Sequence, residues 1–174
     1  DDVLKSPLVL KYLARIIEFD GFECMCIYLK DLAAEGYFDG LGASFFNTLF
    51  AHPTPLAVLE AAQIHLRDGV SSHVKERSGV LTLLNHRYPH YYAALLSACD
   101  ERGLLETISQ EKLEHYYHLM TFIHYKKNVL KEELSYYLNL LLQHSAPETL
   151  VEAFSISAGG HFDAYDETYK PYIQ

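Results

Sequence analysis

Glu111, His115 and His118 are the residues whose types and spacing come nearest to chemistry in this chain. On a helix, positions i, i+4 and i+7 share one side, so a carboxylate and two imidazoles would stand together. That set could present three ligands to a metal ion such as zinc. Phe122 continues the same side. The bland alternative is a polar helix face, exposed or packed beside a neighbour. A di-metal bundle would need a matching Glu-x-x-His on a second helix, and the sequence has none. No metal and no cofactor is therefore expected.

Two further sets weigh the same way. His86 and His90 are four residues apart, but Pro89 lies between them and breaks the helical register that would give H-x-x-x-H meaning. Cys99 beside Asp100 could serve as a nucleophile with a remote histidine. On the apolar side of a helix, however, cysteine usually acts as a small hydrophobe. No glycine-rich phosphate loop, G-x-S-x-G elbow or C-x-x-C pair occurs. An enzyme is thus less expected than a binding protein.

Tyrosine carries a different signal. The chain has 14 tyrosines and no tryptophan, with pairs at Tyr91-Tyr92, Tyr116-Tyr117 and Tyr136-Tyr137. Neighbours on a helix diverge by about 100°, so one ring of a pair can pack inward while the other leans out. Outward tyrosines favour interfaces, since the ring is apolar and the hydroxyl tolerates water. Tyr91, Tyr116 and Tyr136, with His115, His118 and Phe122, are the expected partner-binding residues. Rings that merely fill the layers between helices are the competing explanation.

These residues need helices to position them. The longest interval free of glycine and proline runs from Gly103 to Pro147. Within it, Leu113, Tyr116, Tyr117, Met120, Ile123 and His124 share one helical side, and Leu134, Tyr137, Leu138 and Leu141 share another. Ser109 suits an N-cap with Glu111 in the first turn. Asn128 suits a left-handed stop, and Glu132 and Glu133 suit a new start.

Upstream, Ser6-Pro7 opens a helix with Leu10, Leu13, Ile16 and Ile17 as its core stripe, ending at Asp20-Gly21. Further helices are expected at Phe22–Glu35 (core Cys26, Leu29, Ala33) and at Ala43–Ala51 (core Phe46, Leu49, Phe50). Another runs from Pro55 to about Asp68 (core Leu56, Leu59, Ala62, Ile64, Leu66). One more spans Ser72 to Leu84, weakened by Gly79. The last two run from Pro89 to about Asp100 (core Tyr92, Leu95, Leu96, Cys99) and from Pro147 to Phe154. No segment reads as a strand.

The fold expected is all-α, with about nine helices in antiparallel hairpins. Gly36, Gly69 and Gly103 recur at intervals of 33 and 34 residues, which suits an irregular solenoid-like stack. A compact helical bundle is the alternative. Residues 1–158 are expected to form one domain. Residues 159–174 form a C-terminal tail whose Phe162, Tyr165, Tyr169 and Tyr172 would dock as one helical face.

Composition narrows the class. With 174 residues and 49% hydrophobic content, the chain can bury a substantial core. A formal charge of −9 disfavours nucleic acid and anionic membranes, both of which select for Lys and Arg. No run is apolar enough to span a bilayer. Three cysteines, with Cys24 and Cys26 only one residue apart, suit reduced thiols and a cytoplasmic setting. The expected function is a protein–protein interaction module, scaffold or regulatory, that presents a helical face to another protein. A helical enzyme or metal-binding domain using Glu111, His115 and His118 is the alternative.

Overall fold

A computed structural model describes residues 3–67 and 80–157. Among these residues every regular element is helical and no strand occurs. The α-helices are α1 (Pro7–Ile16), α2 (Phe22–Ala34), α3 (Ala43–Ala51), α4 (Pro55–Arg67) and α5 (Val80–Leu84). They continue with α6 (Pro89–Glu101), α7 (Gln110–Lys127), α8 (Leu134–Gln143) and α9 (Pro147–Ser157). Single 3-10 turns, Val3–Lys5 and Lys131–Glu133, precede α1 and α8. The tail from 159 onward and the segment from Ser72 to Gly79 lie outside the described residues. The last helix runs on through Ser157, past the stop at Phe154 that the small residues of SIS suggest.

The helix ends show why the chain turns where it does. Ser109 Oγ accepts the Lys112 backbone N–H at 3.1 Å, which satisfies one of the orphan donors of α7. Asn128 closes that helix at φ 49°, and its N–H reaches the His124 carbonyl at 2.7 Å. Ser6 holds the N-cap position of α1 but makes no side-chain cap bond, so Pro7 alone sets that start. Gly21 starts α2 at φ 77°, a left-handed conformation that a side chain would resist.

The chain divides into two compact units, and the boundary falls inside α6, between Ala93 and Ala94. In the first unit α2 packs against α1 and α4, and α4 also meets α3 and α5. Its core includes Val9, Ile16, Met25, Leu29, Leu32, Leu49, Val58 and Leu59. An aromatic cluster joins α1 to α3: the Tyr12 ring stacks on Phe46 at 4.7 Å, and Phe45 meets Phe46 edge-on at 5.0 Å.

In the second unit α9 packs on α7 and α8, and α7 also meets α8. Leu134, Tyr137, Leu138 and Leu141 of α8 are all buried, as their spacing predicts. On α7 Leu113, Tyr116, Tyr117, Met120 and Ile123 are buried, and His124 is half-buried. Leu119, Thr121 and Phe122 are buried as well, so from Tyr116 to Ile123 only His118 keeps appreciable exposure. This corrects the expectation of an open face opposite the core stripe. With α8 and α9 both laid against it, α7 is covered on more than one side.

Candidate functional site

The residues singled out from the sequence do not form one surface. Phe122 is 7% exposed and Tyr116 8%, so both belong to the core of the second unit. Burial raises the Tyr116 phenol above its ordinary value, and the nearby Cys99 and Glu148 push it the same way. Tyr91 is half-buried, with its ring 5.5 Å from Tyr88. Tyr136 alone of the set stands out, at 62% exposure, while Tyr137 beside it is buried. One ring in and one ring out thus describes the pair at 136–137, while at 91–92 Tyr92 is buried and Tyr91 half-buried. Both rings at 116–117 go in, because α7 is enclosed.

His115 and Glu111 are separated in role. His115 Nε2 sits 2.5 Å from Glu148 Oε1, an ion pair that ties α7 to α9 when the imidazole is protonated. Glu111 is exposed, and His118 is half-buried. Among the described residues no three His, Cys, Asp or Glu side chains are placed to hold a metal ion.

The other candidates resolve into structure. His86 donates its Nδ1–H to the Thr82 carbonyl, 2.9 Å away, and stacks on Tyr92 at 3.9 Å. His90 lies 3.4 Å from Glu60 on α4. The two imidazoles therefore serve different neighbours, as the intervening proline implies. Cys99 is fully buried, so its sulfur has no open approach. Cys24 is exposed and Cys26 buried, both as free thiols.

Shallow grooves lie among the described residues. One, about 310 Å³, lies beside the start of α7 and offers Thr107, Ser109 and Lys112 as polar lining. Another, about 450 Å³, runs from the Gly40–Gly42 turn to Leu81 and Asn85. Neither lining brings an acid and a base together.

The most distinctive surface is one the sequence pattern hid. On α1, Leu10 is 52% exposed and Ile17, its C-cap residue, 56%. Ala14 between them is exposed, and Leu13 at their side is half-buried. The core instead takes Val9 and Ile16, with Tyr12 leaning on Phe46. This corrects the expected stripe of Leu10, Leu13, Ile16 and Ile17: only Ile16 of the four is buried. The helix PLVLKYLARI is apolar at most positions, so its pattern fits two adjacent sides, and only packing selects one. Arg15 marks the inner flank, with its guanidinium 2.6 Å from Asn47 Oδ1 and over the Phe50 ring at 4.7 Å. Lys11 and Glu18 mark the outer flank, and both are exposed.

Other large apolar side chains stand out at Leu4, Phe22, Ile27, Leu81, Tyr125 and Leu130. Phe22 and Ile27 share α2 but, five residues apart, point about 140° away from each other, and the rest sit on separate elements. Leu10, Ala14 and Ile17 follow one another along a single helix face.

Comparison with family models, with curated proteins and with solved structures returns no match for this sequence. Among the described residues no helix is long and apolar enough to cross a membrane.

Proposed function

We propose that this chain is a protein–protein interaction module that docks through the outer face of α1. The observation that carries this reading is the line Leu10, Ala14, Ile17, open along one helix. Those positions are i, i+4 and i+7, the spacing at which a helix offers anchors to a complementary groove or helix. Scattered exposed leucines need no explanation, but a continuous apolar helix face does.

The energetics suit docking. Burying a Leu or Ile side chain fully is worth about 1.5–3 kcal/mol. With roughly half of each already covered by its own unit, Leu10 and Ile17 retain about 0.8–1.5 kcal/mol apiece for a partner. Two such anchors favour a modest, reversible contact rather than a permanent one. Pro7 and the aromatic stack of Tyr12 on Phe46 hold α1 in place, so little ordering is required on binding.

Photo-crosslinking tests the reading. A benzophenone side chain is placed at position 10 or 17 of the full chain, and at the half-exposed Lys30 of α2 as a control. Protein adducts in cells at 10 and 17 but not at 30 are expected. No adduct at 10 or 17 would refute the docking face.

A further inference from the structure

We propose that the occupant of the α1 face is a second copy of this chain, packed antiparallel across a two-fold axis beside Ala14. This rests on the reading that the face docks protein, and it names the partner. A two-fold contact presents the same patch from both copies, so the patch must complement itself.

The α1 face does so residue by residue. With the axis beside Ala14, Leu10 of each copy meets Ile17 of the other. The two Ala14 methyl groups meet at the crossing, where a small side chain lets helix axes approach to the short end of the usual ~8–10 Å.

The charges follow the same symmetry. Lys11 lies within α1 and Glu18 seven residues on, in the turn just past its C-cap Ile17, where the Glu18 N–H still reaches the Arg15 carbonyl at 3.3 Å and so continues the winding that brings both to one side. Both are exposed, on the flank beyond Ala14. A two-fold axis at this crossing keeps that flank on the same side in both copies. Lys11 of each copy then meets Glu18 of the other, as paired charges flank the seam of an antiparallel coiled coil. A parallel two-fold arrangement would carry this flank to opposite sides of the pair, so Lys11 and Glu18 would gain no partner from each other. A partner with a uniformly acidic or basic rim would meet one like charge on this flank. Arg15 does not disturb the seam, since Asn47 and Phe50 hold it on the inner side.

The contact is short. Ten helical residues span about 15 Å, too little on its own to bury the ~1,200–2,000 Å² of a standard interface. The dimer should therefore be weak, with Kd on the order of 10–100 µM.

Sedimentation of the full chain at about 0.15 M salt, over roughly 1–500 µM, reads this directly. The wild type should shift from monomer to dimer across that range. Leu10→Glu should weaken the dimer at least about tenfold, because it buries a carboxylate against Ile17. Lys11→Glu and Glu18→Lys should each weaken it about tenfold, since symmetry repeats every new repulsion. The double variant Lys11→Glu/Glu18→Lys restores both pairs and should return to within about threefold of wild type. All three positions changed here are exposed, and circular dichroism checks that each of the four variants keeps its helices. A wild type that stays monomeric throughout, a dimer indifferent to Leu10→Glu, or a double variant no tighter than the singles overturns the proposal. If the crosslinker at position 10 then marks a different protein, the docking face stands and self-pairing falls. If it marks nothing, both fall.

Discussion

Phe122→Ala probes whether α7 is enclosed or has an open side. By its spacing from Glu111, His115 and His118, Phe122 belongs to a polar face, and its removal would cost little there. In the structure it is 7% exposed, and His115 on that side pairs with Glu148 of α9. A phenylalanine ring buries about 150–250 Å², and truncating one in a core costs about 3–5 kcal/mol in lost transfer energy and cavity. The Lys126 ammonium lies 5.8 Å from the ring centroid, so one edge of the ring is near water. That places the cost toward the lower end, about 3 kcal/mol. Urea unfolding followed by circular dichroism reads it. With a slope of about 1–3 kcal/mol per molar, the midpoint should fall by about 1–3 M. Glu111→Ala, on an exposed residue in the first turn of the helix, should stay within about 0.5 kcal/mol of wild type. A Phe122→Ala loss below about 1 kcal/mol would refute the enclosure of Phe122 on this side of α7.

Three further outcomes follow from the same packing. Leu138→Ala should cost about 2–5 kcal/mol and Tyr136→Ala less than about 1 in urea melts, because Leu138 is fully buried and Tyr136 is 62% exposed; the reverse order would mean α8 is rotated. Gly21→Ala should lower stability by about 1–2 kcal/mol, since φ is 77° and the added Cβ would come within 2.9 Å of Leu56 Cδ2; an unchanged melting temperature would count against the left-handed start of α2. Iodoacetamide at about pH 8 should alkylate Cys24 first, because burial raises the Cys26 thiol and withholds its thiolate, while Cys99 is enclosed. Equal rates at Cys24 and Cys26 in the folded chain would contradict this placement.

Much of the architecture is legible in the residues. Proline starts mark α4, α6 and α9, and the narrow stripe of α8 points unambiguously inward. Ser109 and Asn128 act as their types suggest, since each side chain or backbone preference is local. The enclosed side of α7 was not legible. Whether a face carrying histidines meets water or another helix depends on α9, which lies far along the chain. The site was hidden for a related reason. On α1 Leu8, Val9, Leu10, Leu13, Ala14, Ile16 and Ile17 cover most of the circumference, and the narrow polar arc of Lys11, Arg15 and Glu18 leaves two apolar sides to choose between. Periodicity assigned Leu10 and Ile17 to the core, and the aromatic packing of Tyr12 on Phe46 turned them out instead.

Side-chain oxidation footprinting of Leu10 and Ile17 tests the docking face most directly. Labelling is compared between purified chain at about 1 µM, below the weak association expected for so small a contact, and the same chain inside cells. Leu81, exposed on α5, is the internal reference. The account predicts that Leu10 and Ile17 lose most of their labelling in cells while Leu81 keeps its own. Equal labelling of Leu10 and Ile17 in both settings would contradict it.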